Sequence, residues 1–318
     1  MLHLRLITPA DRTAEVVSVL EKTVGTAHLV VVPGAAREPR GDLVLCDVAR
    51  EAGDELLSEL RERGIDECGS IAVDDIGLSL SARAEQAEKD APGEAADAVL
   101  WEQLSGATHE ESTLSVTYIA FLGLATMIAA CGVVLDNAIL IVGAMAVGPE
   151  FGPLAGFCTA LVRRAPKLAW RSFLALIAGF GAAMLLTVGF SFLMDALDLF
   201  SAAKLDADRP NTAFIYAPDE FSFVVAVLAG AAGMLSLTSA KSGALVGVAI
   251  SVTTVPAAAN AAVAFSYSEY QQAWGSTQQL LLNLLGIVLA GTLTLLLQKG
   301  LWRASRKGTR TQREGART

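Results

Sequence analysis

The chain has 318 residues and a formal charge of −9 at pH 7. That balance excludes nucleic acid as a partner, since phosphate binding needs a basic surface, and a mean hydropathy of +0.48 is too high for an ordinary soluble domain. The apolar residues gather after Ser115, whereas residues 1–112 read as an acidic soluble domain, so the chain has two parts. Met1–Ile7 lacks a basic segment followed by an apolar core, so no signal peptide is expected and the N-terminus is placed in the cytosol.

The four cysteines, Cys46, Cys68, Cys131 and Cys158, have no metal or redox spacing and read as packing residues. His3, His28 and His109 stand apart in the sequence, and no metal or other cofactor is expected.

Leu2, Leu4 and Leu6 alternate as in a half-buried strand, and Ala14, Val17, Leu20 and Val24 recur at helical spacing. A short strand over His28–Val32, a Pro/Gly/Arg loop over Pro33–Gly41 and a strand over Leu43–Val48 follow. Helical period returns in Glu51–Arg63, stops at Gly64, and Cys68–Val73 closes as a strand. The order β-α-β-β-α-β predicts an α+β ferredoxin-like cytosolic domain over residues 1–80. Residues 81–112 read as a linker with one short helix over Glu94–Leu104, and Trp101 is expected at a membrane interface.

Residues 113–298 predict an α-helical polytopic membrane domain with six spans, near 115–134, 137–162, 168–194, 221–240, 242–264 and 278–297. Basic residues gather after the second span (Arg163, Arg164, Lys167, Arg171), at Lys241 and in the tail 299–318, whereas Asp136, the acidic 195–220 loop and Glu269 fall on the other side. Six spans therefore put both termini in the cytosol of a cell membrane. The basic tail is expected to meet anionic lipid.

Two spans are broken. Gly148-Pro149-Glu150-Phe151-Gly152-Pro153 interrupts the second, and Val255-Pro256 interrupts the fifth. Matching breaks in the middle span of each half predict a 3+3 inverted repeat with a central site, because unwound backbone at membrane depth must be buried in protein or line a wet cavity. An acid there costs about 2.5–3.5 kcal/mol on insertion scales. Glu150 is therefore read either as an ion- or proton-coupling carboxylate or as a cap on the half-helix after Pro149. The substrate- or ion-binding candidates are Glu150, Pro149, Gly152, Pro153, Thr253, Thr254, Pro256, Asn260 and Asn283. Gly179/Ala183, Gly243/Gly247 and Gly286/Ala290 repeat at four-residue spacing, which favours close helix packing and a homo-oligomer. Thr238-Ser239-Ala240-Lys241-Ser242-Gly243 lacks the glycines of a phosphate loop.

At the breaks the sequence resembles the uncharacterised membrane proteins of domain of unknown function 389, over about residues 110–298. The residues that carry the likeness are Gly143-Ala144-Met145, Pro149, Gly152-Pro153, Ala229-Gly230, Gly233, Gly247-Val248-Ala249-Ile250, Val255-Pro256 and Asn283. The resemblance implies a polytopic bacterial-type membrane protein, often with a soluble N-terminal domain, and no settled activity. The chain departs from that pattern in having Glu150 where an apolar residue is usual and Ala257 where a second proline is usual.

The leading expectation is a transporter or channel for a small solute or ion, working between the broken spans. The alternative is a membrane-anchored sensor or scaffold whose cytosolic domain binds a ligand or partner. An enzyme is not expected, since no nucleophile, base and oxyanion donor gather in one stretch.

Overall fold

The computed structural model describes residues 1–91, 93, 98–217, 219–239 and 253–315. They form two compact units, Met1–Gln103 with Gln298–Thr318, and Leu104–Leu297.

In the first unit, β1 (Leu2–Thr8), α1 (Thr13–Lys22), β2 (Thr26–Arg37), β3 (Arg40–Val48), α2 (Arg50–Glu62), the single turn α3 (Ile65–Cys68) and β4 (Ser70–Asp75) follow the order read from the sequence. The sheet runs β2-β3-β1-β4 with every neighbour antiparallel, the connectivity of the split βαβ unit. Strand alternation points Leu2, Leu4, Leu6, Val44, Cys46 and Val48 to one face, where Val16, Leu20, Leu56 and Leu60 cover them.

One expectation changes here. Pro33–Gly41 is not a loop: β2 continues to Arg37 and pairs Ala36 with Gly41 and Arg37 with Arg40. Pro33 is tolerated because β2 is an edge strand and needs no donor on its outer side. The 81–112 stretch also holds more structure than one short helix. It contains α4 (Ala82–Asp90), capped by Ser81, and α5 (Trp101–Glu111), while Glu94–Asp97 of the expected helix lie outside the described residues. Trp101 stacks under the Lys299 ammonium, 5.4 Å from its ring centroid.

The second unit contains α6 (Val116–Val134), α7 (Ala138–Val147), α8 (Phe151–Arg163), α9 (Pro166–Ala196), α10 (Ala202–Asp206), a 3-10 turn (Ala213–Ile215), α11 (Glu220–Thr238), α12 (Thr254–Ser266) and α13 (Tyr270–Gly315). Four helices are long and apolar enough to cross a membrane, namely α6, α9, α11 and the Tyr270–Leu301 part of α13. The α7–α8 pair, bent by 53°, makes a fifth if it is one span. The described residues thus give four or five spans, not six. Residues 242–252 of the expected fifth span, Gly243 and Gly247 among them, lie outside the described residues. Its described part, α12, has 13 residues, about 20 Å at 1.5 Å each and too short for a core about 30 Å thick. The inverted repeat needs that span whole.

Large apolar side chains such as Trp170, Leu185 and Leu228 point outward from α9 and α11, as in a membrane protein whose outer faces meet hydrocarbon. Inside, every residue of α12 from Thr254 to Ala264 is buried, and the helix packs against α6, α7 and α9. Small residues permit this closeness. A Cβ on Gly230 of α11 would lie 2.7 Å from the Ile287 Cα of α13, and one on Gly286 would lie 2.8 Å from the Ala226 Cβ.

The α6–α7 turn is tied to the segment after α10. Asp136 accepts from Asn211 Nδ2 at 2.8 Å and from Thr212 Oγ1 at 2.9 Å. Desolvation pushes its carboxyl upward, but these hydrogen bonds outweigh it and hold the acid below the usual carboxylate range. A depressed folded value means that the tie is fully present above the unfolded value, about pH 4, and is lost as pH falls through the folded one. Amide protection over residues 209–216, taken relative to the intrinsic exchange rate at each pH, should therefore be high at neutral pH and fall in strong acid. Asp136→Ala should show that lowered protection already at neutral pH.

Candidate functional site

Pro149 has no N–H and disfavours helical backbone in the residue before it, so α7 stops at Gly148, which is extended at ψ 128°. The chain restarts at Glu150, and Pro153 sits in the first turn of α8, where its missing donor costs nothing. Pro256 occupies the same kind of place in the first turn of α12. Both prolines therefore define helix starts, and the two starts meet. Thr254 Oγ1 donates to Glu150 Oε1 at 2.8 Å, and a Cβ on Gly148 would lie 2.8 Å from Val255 Cγ2.

Glu150 is 4% exposed. Its side chain makes no capping hydrogen bond to α8; the carboxylate turns toward α12, where Thr254 holds it. Its second oxygen, Oε2, has no hydrogen-bond partner among the described residues. Beside it, Thr253 Oγ1 accepts from Asn283 Nδ2 at 2.8 Å and from Gln279 Nε2 at 3.4 Å. Gln279 is 1% exposed, and its Oε1 likewise has no partner among the described residues.

Of the residues singled out from the sequence, Glu150, Thr253, Thr254 and Asn283 come together, and Pro149 and Pro256 shape the backbone around them. Gly152 instead admits the Glu111 side chain of α5, with a would-be Cβ 2.6 Å from Glu111 Cβ. Asn260 is not in this group. It lies six residues beyond Thr254, about 9 Å along the helix, where its Nδ2 donates to Ser276 Oγ at 2.7 Å and its Oδ1 accepts from Arg209 at 3.3 Å. Arg209, only 2% exposed, also donates to Gln272 Oε1 at 2.7 Å and stands 4.9 Å from the Tyr216 ring centroid.

Sequence reasoning missed Arg209, Gln272, Ser276 and Gln279. A signal for the last three was present. Gln272, Ser276, Gln279 and Asn283 fall at i, i+4, i+7 and i+11 in an apolar helix, the spacing of one helical face. The stripe spans twelve residues, a rise of roughly 16 Å or about half of a hydrocarbon core. The same face then becomes apolar, with Ile287 and Ala290 buried.

The comparisons with known proteins bear on this unit. Residues 145–289 match the family model described as a domain of unknown function, DUF389. The matched stretch is a little under half of the chain. The match is narrower than the 110–298 resemblance, and it includes Glu150, α12 and the whole polar stripe. An uncharacterised protein of Methanocaldococcus jannaschii, MJ0678, is 25% identical over 206 residues, which is 65% of this chain and 60% of the relative. The chain thus spans less than two thirds of that relative's length. No solved structure matches the chain. DUF389 carries no assigned activity, so the argument for function rests on the residues themselves.

Outside the DUF389 region the histidines are less isolated than their sequence positions imply. His3 Nδ1 and His28 Nδ1 each lie 2.7 Å from an Asp47 oxygen, and His28 Nε2 lies 2.8 Å from Ser81 Oγ. Strand register sets His3 opposite Asp47, which local spacing does not reveal. On the helical side of the sheet, an open groove of about 420 Å³ runs between α1 and α2, lined by Glu15, Lys22, Glu51, Glu55, Glu59 and Arg63 among others. Arg63 there pairs with both Glu15 and Glu59.

Proposed function

We propose that this DUF389 protein is a membrane transporter or channel for a small solute or ion, with its site between the α7–α8 break and the start of α12. The observation that supports it is the Glu150 carboxylate, buried in an apolar helical unit with one oxygen held by Thr254 and the other unpartnered among the described residues. An acid kept at that cost, in a break that frees backbone groups, is what a binding site at membrane depth requires. The reading assigns binding and passage, not bond-making, to these residues. It carries with it six spans arranged as two inverted halves, a multi-pass place in the cell membrane with both termini cytosolic, and a homo-oligomer.

Two experiments test it. The full chain reconstituted in lipid vesicles should pass a small ion or solute, and vesicles that pass none would leave the sensor or scaffold reading ahead. Cysteines placed at Asp206 and at Glu269 should react with an impermeant thiol reagent on intact cells, and one at Arg306 should not. Reaction at Arg306 alone would overturn the six-span topology. The α1–α2 groove favours the second reading, a cytosolic domain that takes a ligand, and a groove ligand in vesicles without flux would establish it.

A further inference from the structure

We infer that the polar face of α13 is the path by which a small monovalent cation, a proton or a sodium ion, reaches Glu150, and that Arg209 closes its mouth. The inference rests on the transport reading and names the ion, the route and the gate.

The chemistry of the unpartnered atoms selects the charge. Glu150 Oε2 and Gln279 Oε1 are both acceptors, and both belong to side chains more than nine-tenths buried. An anion would face two lone-pair donors, whereas a cation or proton satisfies them. One carboxylate among neutral oxygens suits a single positive charge, because sites for divalent ions gather more acids. Along the route the groups connect in order. Gln272 and Arg209 meet at the end of the unit formed by the α9–α11 connection, Ser276 follows with Asn260, and Gln279 and Asn283 reach Thr253 beside the Glu150–Thr254 pair. After Asn283 the face turns apolar through Ile287 and Ala290, so the path is a half-path that ends at the acid.

Arg209 is placed to obstruct it. Its guanidinium spans Asn260 of α12 and Gln272 of α13, at the first polar groups of the stripe, and its charge repels a cation. Entry therefore requires Arg209 to leave, and the Asp136 tie on Asn211 and Thr212 holds the same segment in place.

The titratable groups around Glu150 are few. Tyr118 of α6 lies near it, and Glu111 of α5 lies against Gly152. Helices α6, α7 and α12 and the 272–283 face of α13 contain no Asp, Glu, Lys, Arg or His, α8 ends in Arg163, and α9 has Lys167 and Arg171 at its start and Asp195 near its end. Lys241 lies outside the described residues.

The test uses the full chain in lipid nanodiscs, with the thermal midpoint followed in sodium chloride or choline chloride across a pH series. A sodium-dependent rise identifies sodium as the ion, and a pH dependence indifferent to sodium identifies the proton. Glu150→Gln should abolish whichever response is seen. Gln279→Leu should weaken the apparent affinity at least about tenfold, as expected for loss of one ligand to a charge, and Gln279→Met serves if the leucine variant does not fold. Arg209→Gln should speed the response to a sudden change in that cation. A response abolished by Glu150→Gln but unchanged in the Gln279 and Arg209 variants would overturn the path and leave the transport reading standing. Vesicle flux of some other solute, with no midpoint response to either cation, would overturn the cation assignment alone.

Discussion

Glu150→Leu is expected to fold and to lose at least about nine-tenths of the wild-type vesicle flux, and Glu150→Gln to lose nearly as much. The leucine fits because Val255 packs beside the acid at Gly148. The glutamine keeps an acceptor for Thr254 but not the charge. Thr254→Val should do the reverse, leaving the acid in place and damaging stability. It strips the Thr254 hydrogen bond from Oε1 while Oε2 already has no partner among the described residues, and an unsatisfied buried charge costs about 3 kcal/mol or more. Heat-induced loss of the monodisperse peak, read beside flux, separates the two effects. Wild-type flux in Glu150→Leu would remove the acid from the mechanism. That outcome carries weight because the family resemblance puts an apolar residue at this position.

Gly230→Leu is expected to destabilise the helical unit by about 3 kcal/mol or more, the upper range for overpacking. The added side chain would start 2.7 Å from the Ile287 Cα, and backbone cannot rotate aside as a side chain can. Gly181→Ala is the control. A Cβ there meets nothing within 4 Å, and alanine is the better helix former by about 1 kcal/mol, so its thermal midpoint should stay level or rise. Equal damage from both substitutions would mean that α11 and α13 do not pack as described.

Local sequence was enough for much of the architecture. The alternation of Leu2, Leu4 and Leu6 places three side chains on one face of any strand they form, so the core of the first unit was legible before its partners were known. Pro149 ends α7, and Pro153 and Pro256 mark helix starts by covalent chemistry, since a residue without an N–H is easily accepted only in a first turn. The α7–α8 break and the start of α12 were therefore visible in the chain. The hydrophobic runs gave α6, α9, α11 and α13 for the same reason, because length and composition suffice for a membrane helix.

What those breaks do was decided by tertiary packing. Glu150 and Thr254 are 104 residues apart, and nothing in the local sequence says whether the carboxylate caps its own helix or reaches the other. Packing of α12 against α6, α7 and α9 chose the second. Asn260, grouped with the site by its polarity and nearness to Pro256, is carried about 9 Å away by the helical rise and pairs with Arg209, a loop residue with no distinguishing local pattern. The extension of β2 through Pro33 was likewise hidden, because whether a proline is tolerated depends on whether its strand lies at a sheet edge. Periodicity and proline chemistry act within a few residues and so can be read from the chain alone. Which buried polar groups satisfy one another depends on contacts across the fold, and only the tertiary structure supplies them.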